Sequence, residues 1–146
     1  MRRTLLGIAA TALALFAFVP AALSRESAAP TLTVKSSSYG RILFDGRGYV
    51  LYAFTRDAKA PSACYGACAK AWPVYFAKGT LRVGTGLRRS LLGTTKRRDG
   101  RRQITYAGRP LYYYVGDTKA GQIRCQNVAE FGGTWLVVRP SGRLVR

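Results

Sequence analysis

Two stretches of the chain read almost alike: LYAFTRD at Leu51–Asp57 and LYYYVGD at Leu111–Asp117. Each holds a leucine, a tyrosine, a second aromatic two positions on, and an aspartate three positions after that. In a strand, residues i and i+2 point to the same side, so Tyr52 with Phe54, and Tyr112 with Tyr114, each line one face. Burying such rings stabilises a sheet by roughly 2 to 3 kcal/mol each. Core packing is therefore the expectation, and exposed rings would instead make a platform for a sugar or another flat ligand. Asp57 and Asp117 stand where each strand leaves its sheet, where a carboxylate closes a turn on backbone amides or pairs with a basic side chain. A paired general acid and base would need further convergence that the spacing does not supply.

Each motif closes a hairpin. GRILFDGRGYVLYAFTRD reads as two strands around a turn at Asp45–Gly48, and RRQITYAGRPLYYYVGD as two strands around Ala107–Pro110. Ile42, Leu43 and Phe44 align with Ile104, Thr105 and Tyr106, whereas Leu51, Tyr52 and Phe54 align with Leu111, Tyr112 and Tyr114. On that alignment the first turn is about two residues longer, as expected of a duplicated unit that has diverged in a loop. Between the copies, PSACYGACAKAWP is rich in alanine and suits one or two helical turns ended by Pro73. KGTLRVGTGLRRSLLGTTKRRDGRRQ is basic and turns at Asp99–Gly100. After the second copy, GDTKAGQIRCQN is loop-like, and GGTWLVVRPSGRLV supplies a strand, a turn and a last short strand. No long helical periodicity follows residue 30. The fold class read from this pattern is mainly β: one antiparallel, sandwich-like domain over 38–146, built of two related hairpin repeats, with one short helix near the cysteine pair.

The N-terminus carries a targeting pattern. Arg2 and Arg3 precede LLGIAATALALFAFVPAAL, and Ala22 and Ser24 sit at the −3 and −1 positions of a cleavage site, which predicts a signal peptide over 1–24. An apolar run of about twenty residues is also long enough to stay as a membrane anchor. No cysteine lies near the site for lipid attachment. Residues 25–37 read as a linker with a first strand at Leu32–Lys35. About 120 residues remain, enough for one domain with a modest core.

Charge narrows the function classes. The chain holds 24 Lys and Arg, 6 Asp and Glu, and no His. Ser-His-Asp, Cys-His and His-ligated metal schemes are thereby excluded, and so few carboxylates make an acidic calcium or magnesium cage improbable. No catalytic residue, metal or cofactor is assigned. The excess of cations implies contact with polyanions, and export favours anionic cell-wall or membrane-surface polymers over any specific nucleic acid. A solvated, self-repelling surface is the plainer alternative. The densest run, Arg88, Arg89, Lys96, Arg97, Arg98, Arg101 and Arg102, flanks a turn. Sharing one face, these side chains would make an anion site that weakens with salt.

Cys64 and Cys68 are four apart, and an exported protein is expected to bridge them. Cys125 makes the count odd, so 64–68, 64–125 and 68–125 are all formally available. The 64–68 bridge is favoured, leaving Cys125 free, buried or open to intermolecular pairing. Neither the thioredoxin nor the c-type haem spacing is present.

The combination of Tyr52, Phe54 and Asp57 with Tyr112, Tyr114 and Asp117 resembles the bacterial secreted-repeat family of predicted lipoproteins with the Y-x-[FWY]-x-x-D motif. CYGACAKAWP, LLGTTKRRDGRRQITYAGRPLYYY and FGGTW extend the resemblance over roughly residues 38–138. It implies secretion or envelope attachment and a two-copy domain, with Cys64 and Cys68 where the family's paired cysteines lie. The chain departs from the family in lacking a lipobox cysteine, and in placing Cys125 and Asn127 in a loop where glycines are expected. The functional expectation is a non-enzymatic, secreted or envelope-associated domain that binds anionic envelope material. Its rival is a redox or electron-transfer accessory that uses Cys64 and Cys68.

Overall fold

A computed structural model describes Ala29, residues 31–57 and residues 59–146. The signal segment 1–24 and its cleavage site lie outside the described residues. Strands β1 (Leu32–Ser37) and β2 (Gly40–Asp45) form an antiparallel hairpin with Leu32 opposite Asp45 and Ser37 opposite Gly40. Gly40 adopts a positive φ of 79° at the tight turn, a conformation that costs a residue with a side chain more. The first strand runs to Ser37, so residues 32–37, which composition assigns to the linker, are paired into the domain.

The chain continues through β3 (Tyr52–Phe54), helix α1 (Ala67–Ala71) and a 3-10 turn at Arg89–Leu91. It then forms β4 (Leu92–Lys96), β5 (Arg102–Tyr106), β6 (Arg109–Pro110), β7 (Val128–Glu130) and β8 (Gly133–Val137). Every named strand pair is antiparallel: β1 with β2, β3 with β8 and then β7, and β4 with β5 and then β6. The expected β class holds, as does the single short helix beside the cysteines. The alanines of ACAKA favour the helix, and Pro73 just beyond it prevents its extension. Among the described residues no helix is long and apolar enough to cross a membrane.

The hydrogen bonds align the two copies. Leu51 donates its backbone N–H to Leu43, and Leu111 donates to Ile104. Leu43 donates to Val138, and Ile104 to Tyr75. Leu43 therefore corresponds to Ile104, one position from the alignment by residue type. The first turn is longer by one residue, not two: Asp45 meets Tyr49 across three residues, whereas Tyr106 meets Arg109 across Ala107 and Gly108. Residue likeness misleads here because the second copy carries polar Gln103 and Thr105 where the first carries Ile42 and Phe44.

The copies also exchange strands. At the centre, Tyr52 and Tyr112 each donate a backbone N–H to the other's carbonyl, both at 2.9 Å. Strand β8 of the second copy pairs with β3 of the first, Val137 opposite Tyr52 and Trp135 opposite Phe54. Reciprocally, the segment after Trp72 pairs with the second copy, with Val74 bridging Tyr112 and Phe76 bridging Gln103. Each copy thus supplies the strand that completes its partner.

Alternation along the central strands feeds two cores. Ile42, Phe44, Tyr52, Phe54 and Tyr112 enter one, and Leu43, Leu51, Ala53, Ile104 and Leu111 the other. The first core is organised by rings. Trp72 and Trp135 stack with centroids 3.9 Å apart and an interplanar angle of 1°. Phe54 stacks on the outer face of Trp135, and Tyr114 leans on Trp72. Tyr52 meets Trp72 edge-on, as Tyr112 meets Trp135. Edge-to-face and offset-stacked rings at these distances are attractive beyond their buried area.

Candidate functional site

The six motif residues meet at the junction of the copies. The Tyr52 hydroxyl donates to Asp117 Oδ2 at 2.7 Å, and the Tyr112 hydroxyl to Asp57 Oδ2 at 2.5 Å. Each tyrosine therefore secures the aspartate of the other copy. The second oxygen of each carboxylate closes its own loop, Asp57 Oδ1 accepting from the Ala63 amide at 2.6 Å and Asp117 Oδ1 from the Arg124 amide at 3.0 Å. The expected turn closure is present, and an inter-copy clasp is added to it. Tyr52, Phe54, Tyr112, Asp57 and Asp117 are buried, and Tyr114 is half-buried, so the rings of this motif pack rather than present a platform.

Burial pushes the Asp57 and Asp117 carboxyls up from the ordinary carboxylate value, against the opposing pull of the tyrosine hydroxyls and loop amides. Burial likewise raises Tyr52 and Tyr112, aided by the neighbouring aspartates. Between the ordinary carboxylate pKa and the raised native one, the folded state keeps protons that the unfolded chain has released. These groups therefore favour folding most at low pH, and that contribution declines as pH rises through the window. The melting-temperature gap between wild type and Asp117→Asn is expected to be larger at pH 4 than at pH 7. A gap that grows toward neutrality contradicts the assignment.

Beside Asp57 lies a buried cation. Arg97 donates from Nη1 to Ser62 Oγ at 2.6 Å and to Gln103 Oε1 at 2.8 Å, and from Nη2 to the Cys64 carbonyl at 2.7 Å. Ser62 Oγ also lies 2.6 Å from the Tyr112 hydroxyl, so arginine, serine, tyrosine and aspartate form one chain of contacts. Arg97 is 5% exposed and departs from the surface anion site expected of it. Gln103, Ser62 and the Cys64 carbonyl compensate the buried charge at Nη1 and Nη2, while Nε has no partner among the described residues.

The rest of the basic run is divided between the two ends of one hairpin. Arg88 and Arg89 stand at the Leu92 end of the β4–β5 hairpin, and Lys96, Arg98, Arg101 and Arg102 at its turn. Several are engaged within the protein: Arg101 pairs with Asp99 at 2.7 Å, Arg102 donates to Thr94 Oγ1, and Arg89 to the Leu92 carbonyl. Arg98 lies over the Tyr65 ring.

Cys64 and Cys68 form the expected disulfide, and both residues are buried. Cys125 is the half-exposed free cysteine. Its place follows from the clasp: Ala63 and Arg124 close equivalent loops, so Cys125 is the counterpart of Cys64, with Ala129 at the spacing of Cys68. Asn127 takes a positive φ of 61°, as its side chain tolerates.

Two clefts open where the segment after each tryptophan turns past a hairpin. The first, of about 670 Å³, is lined by Tyr75, Tyr113, Arg47, Lys78 and Arg82 among others. Arg47 there pairs with Asp45, and the Tyr113 hydroxyl donates to the same carboxylate. The second, of about 560 Å³, is lined by Arg109, Arg139, Ser141, Arg143, Leu144 and Arg146. No dense run contains these arginines, so the sequence does not single them out. The spaced arginines of RPSGRLVR, joined by a hairpin turn, were the available signal.

Fold and site together define a tandem β-repeat domain clasped by reciprocal tyrosine–aspartate bonds. The chain belongs to the Lipoprotein_15 family, described as a secreted repeat of unknown function, whose model matches residues 33–75 and again 93–139, more than half of the chain. The two matched segments coincide with the two strand-exchanging copies. Comparison with curated proteins and with solved structures finds no match.

Proposed function

We propose that this protein is a non-catalytic domain of the extracytoplasmic envelope that holds anionic polymers through its basic surface. The observation that carries this reading is the use made of its acids. All five Asp and Glu side chains among the described residues accept hydrogen bonds within the domain: Asp45 from Arg47, Asp57 from Tyr112, Asp99 from Arg101, Asp117 from Tyr52 and Glu130 from Trp72. Acidic side chains are thereby engaged internally, and the ion pairs among the described residues involve only Arg47 and Arg101. Most of the remaining cations, the buried Arg97 excepted, face solvent, which attracts polyanions and raises their association rate. The family's description as secreted agrees with such a location.

The purified protein is expected to bind poly(glycerol phosphate) and polygalacturonate at low ionic strength. Raising salt from 25 to 300 mM is expected to weaken both by about tenfold or more, because screening shortens the reach of surface charge. Titration by biolayer interferometry checks this, and binding that is absent or indifferent to salt overturns it.

A further inference from the structure

Resting on that reading, we infer that the cleft lined by Arg109, Arg139, Arg143 and Arg146 is a dedicated site for a phosphodiester or other phosphoryl oxyanion. Four arginines line one concavity of about 560 Å³, and no Asp or Glu side chain is among the lining residues. Among the described residues, none of the four guanidiniums forms a hydrogen bond or ion pair within the protein, unlike Arg89, Arg101 and Arg102 on the hairpin. Gathering unpaired like charges raises the energy of the empty cleft, and a bound anion relieves it.

The frame beneath these side chains is fixed. Arg139 donates its backbone N–H to the Arg143 carbonyl, and Gly142 donates to Arg139, both at 2.8 Å. The Tyr106 hydroxyl holds the Pro140 carbonyl at 2.8 Å, while Arg109 pairs with Tyr106 across the neighbouring turn. A side chain on Gly142 would collide with Ala107 Cβ, so the two turns that carry the arginines pack directly together. Roots held this way reduce the ordering cost of binding.

The internal duplication supplies an independent observation. The alignment that matches Val138 to Tyr75 places Arg139, Ser141 and Arg143 opposite Phe76, Lys78 and Thr80, which line the other cleft. The fold therefore opens a cleft at the same place twice but does not demand arginine there. Guanidinium groups suit phosphoryl oxygens because two parallel N–H donors match two oxygens, a geometry that lysine lacks.

The test titrates poly(glycerol phosphate), phosphatidylglycerol vesicles and the carboxylate polymer polygalacturonate into three proteins at fixed salt. These are wild type, the cleft variant Arg109→Ala/Arg139→Ala/Arg143→Ala, and a hairpin variant with the same charge loss, Lys96→Ala/Arg98→Ala/Arg102→Ala. The cleft variant is expected to lose at least tenfold in phosphodiester binding and the hairpin variant less than threefold. The vesicle arm then tells a lipid headgroup from a soluble polymer. A matching Arg→Lys triple, which keeps charge and tolerates folding, is expected to lose phosphodiester binding while holding polygalacturonate. Equal losses in the cleft and hairpin variants, or an equal preference for the carboxylate polymer, overturn the cleft while leaving general polyanion binding intact. Absence of binding by wild type overturns both readings.

Discussion

Expressed separately, residues 31–86 and 87–146 are expected to remain unfolded, and to regain the native fold when mixed. Each segment contains one full copy of the motif, so an ordinary tandem repeat would leave at least one able to fold. Here the strand beside Tyr52 comes from the second copy, Val137 and Trp135 standing opposite Tyr52 and Phe54. The strand beside Tyr112 comes from the first, through Val74. A lone half therefore exposes a strand edge, one tryptophan without its stacking partner, and an aspartate without its tyrosine. Chains of roughly 60 residues are already marginal when they bury a complete core. Circular dichroism and amide spectra of each fragment and of the mixture check the expectation. A cooperative transition in either fragment alone contradicts it.

The second large effect is expected at the ring stack. Trp72→Ala should cost about 3 to 5 kcal/mol, the range for emptying a large aromatic site. That is a large share of the roughly 5 to 15 kcal/mol that stabilises a typical domain. The loss propagates because Trp72 is completely buried and touches Trp135, Tyr52 and Tyr114. The paired tryptophans are not equivalent, which gives a finer comparison. Trp72 donates from Nε1 to Glu130 at 2.8 Å, whereas the buried Trp135 Nε1 has no partner among the described residues. Replacing Trp135 by phenylalanine removes an unmatched donor, while the same change at Trp72 breaks a charge-assisted bond. Trp72→Phe is therefore expected to cost about 1 kcal/mol more than Trp135→Phe. Urea denaturation of the two variants measures the difference, and equal or reversed costs refute the distinction.

The local units follow from short-range patterns in the chain. Alternation in LYAFTRD and LYYYVGD marked strands with rings on one face, the alanines before Pro73 marked the helix, and the cysteine spacing favoured the 64–68 bridge. These features depend on neighbours a few residues apart, and the backbone geometry of a strand or helical turn converts such patterns directly into shape. The partnerships between those units arise in the closed fold. Nothing in a tyrosine's own sequence context says that Tyr52 will hold Asp117 rather than Asp57, or that Trp72 will stack on Trp135. The run around Arg97 likewise reads as uniform surface charge. Gln103, across the same hairpin, and Ser62, brought from a distant segment, accept hydrogen bonds from that one guanidinium, which lies inward. Arg109 and Arg139 are thirty positions apart and become cleft neighbours because two turns pack through Gly142 and Ala107. Strand period, helix propensity and turn chemistry act over a few bonds. Burial and charge compensation are satisfied by whichever groups the closed fold brings within reach.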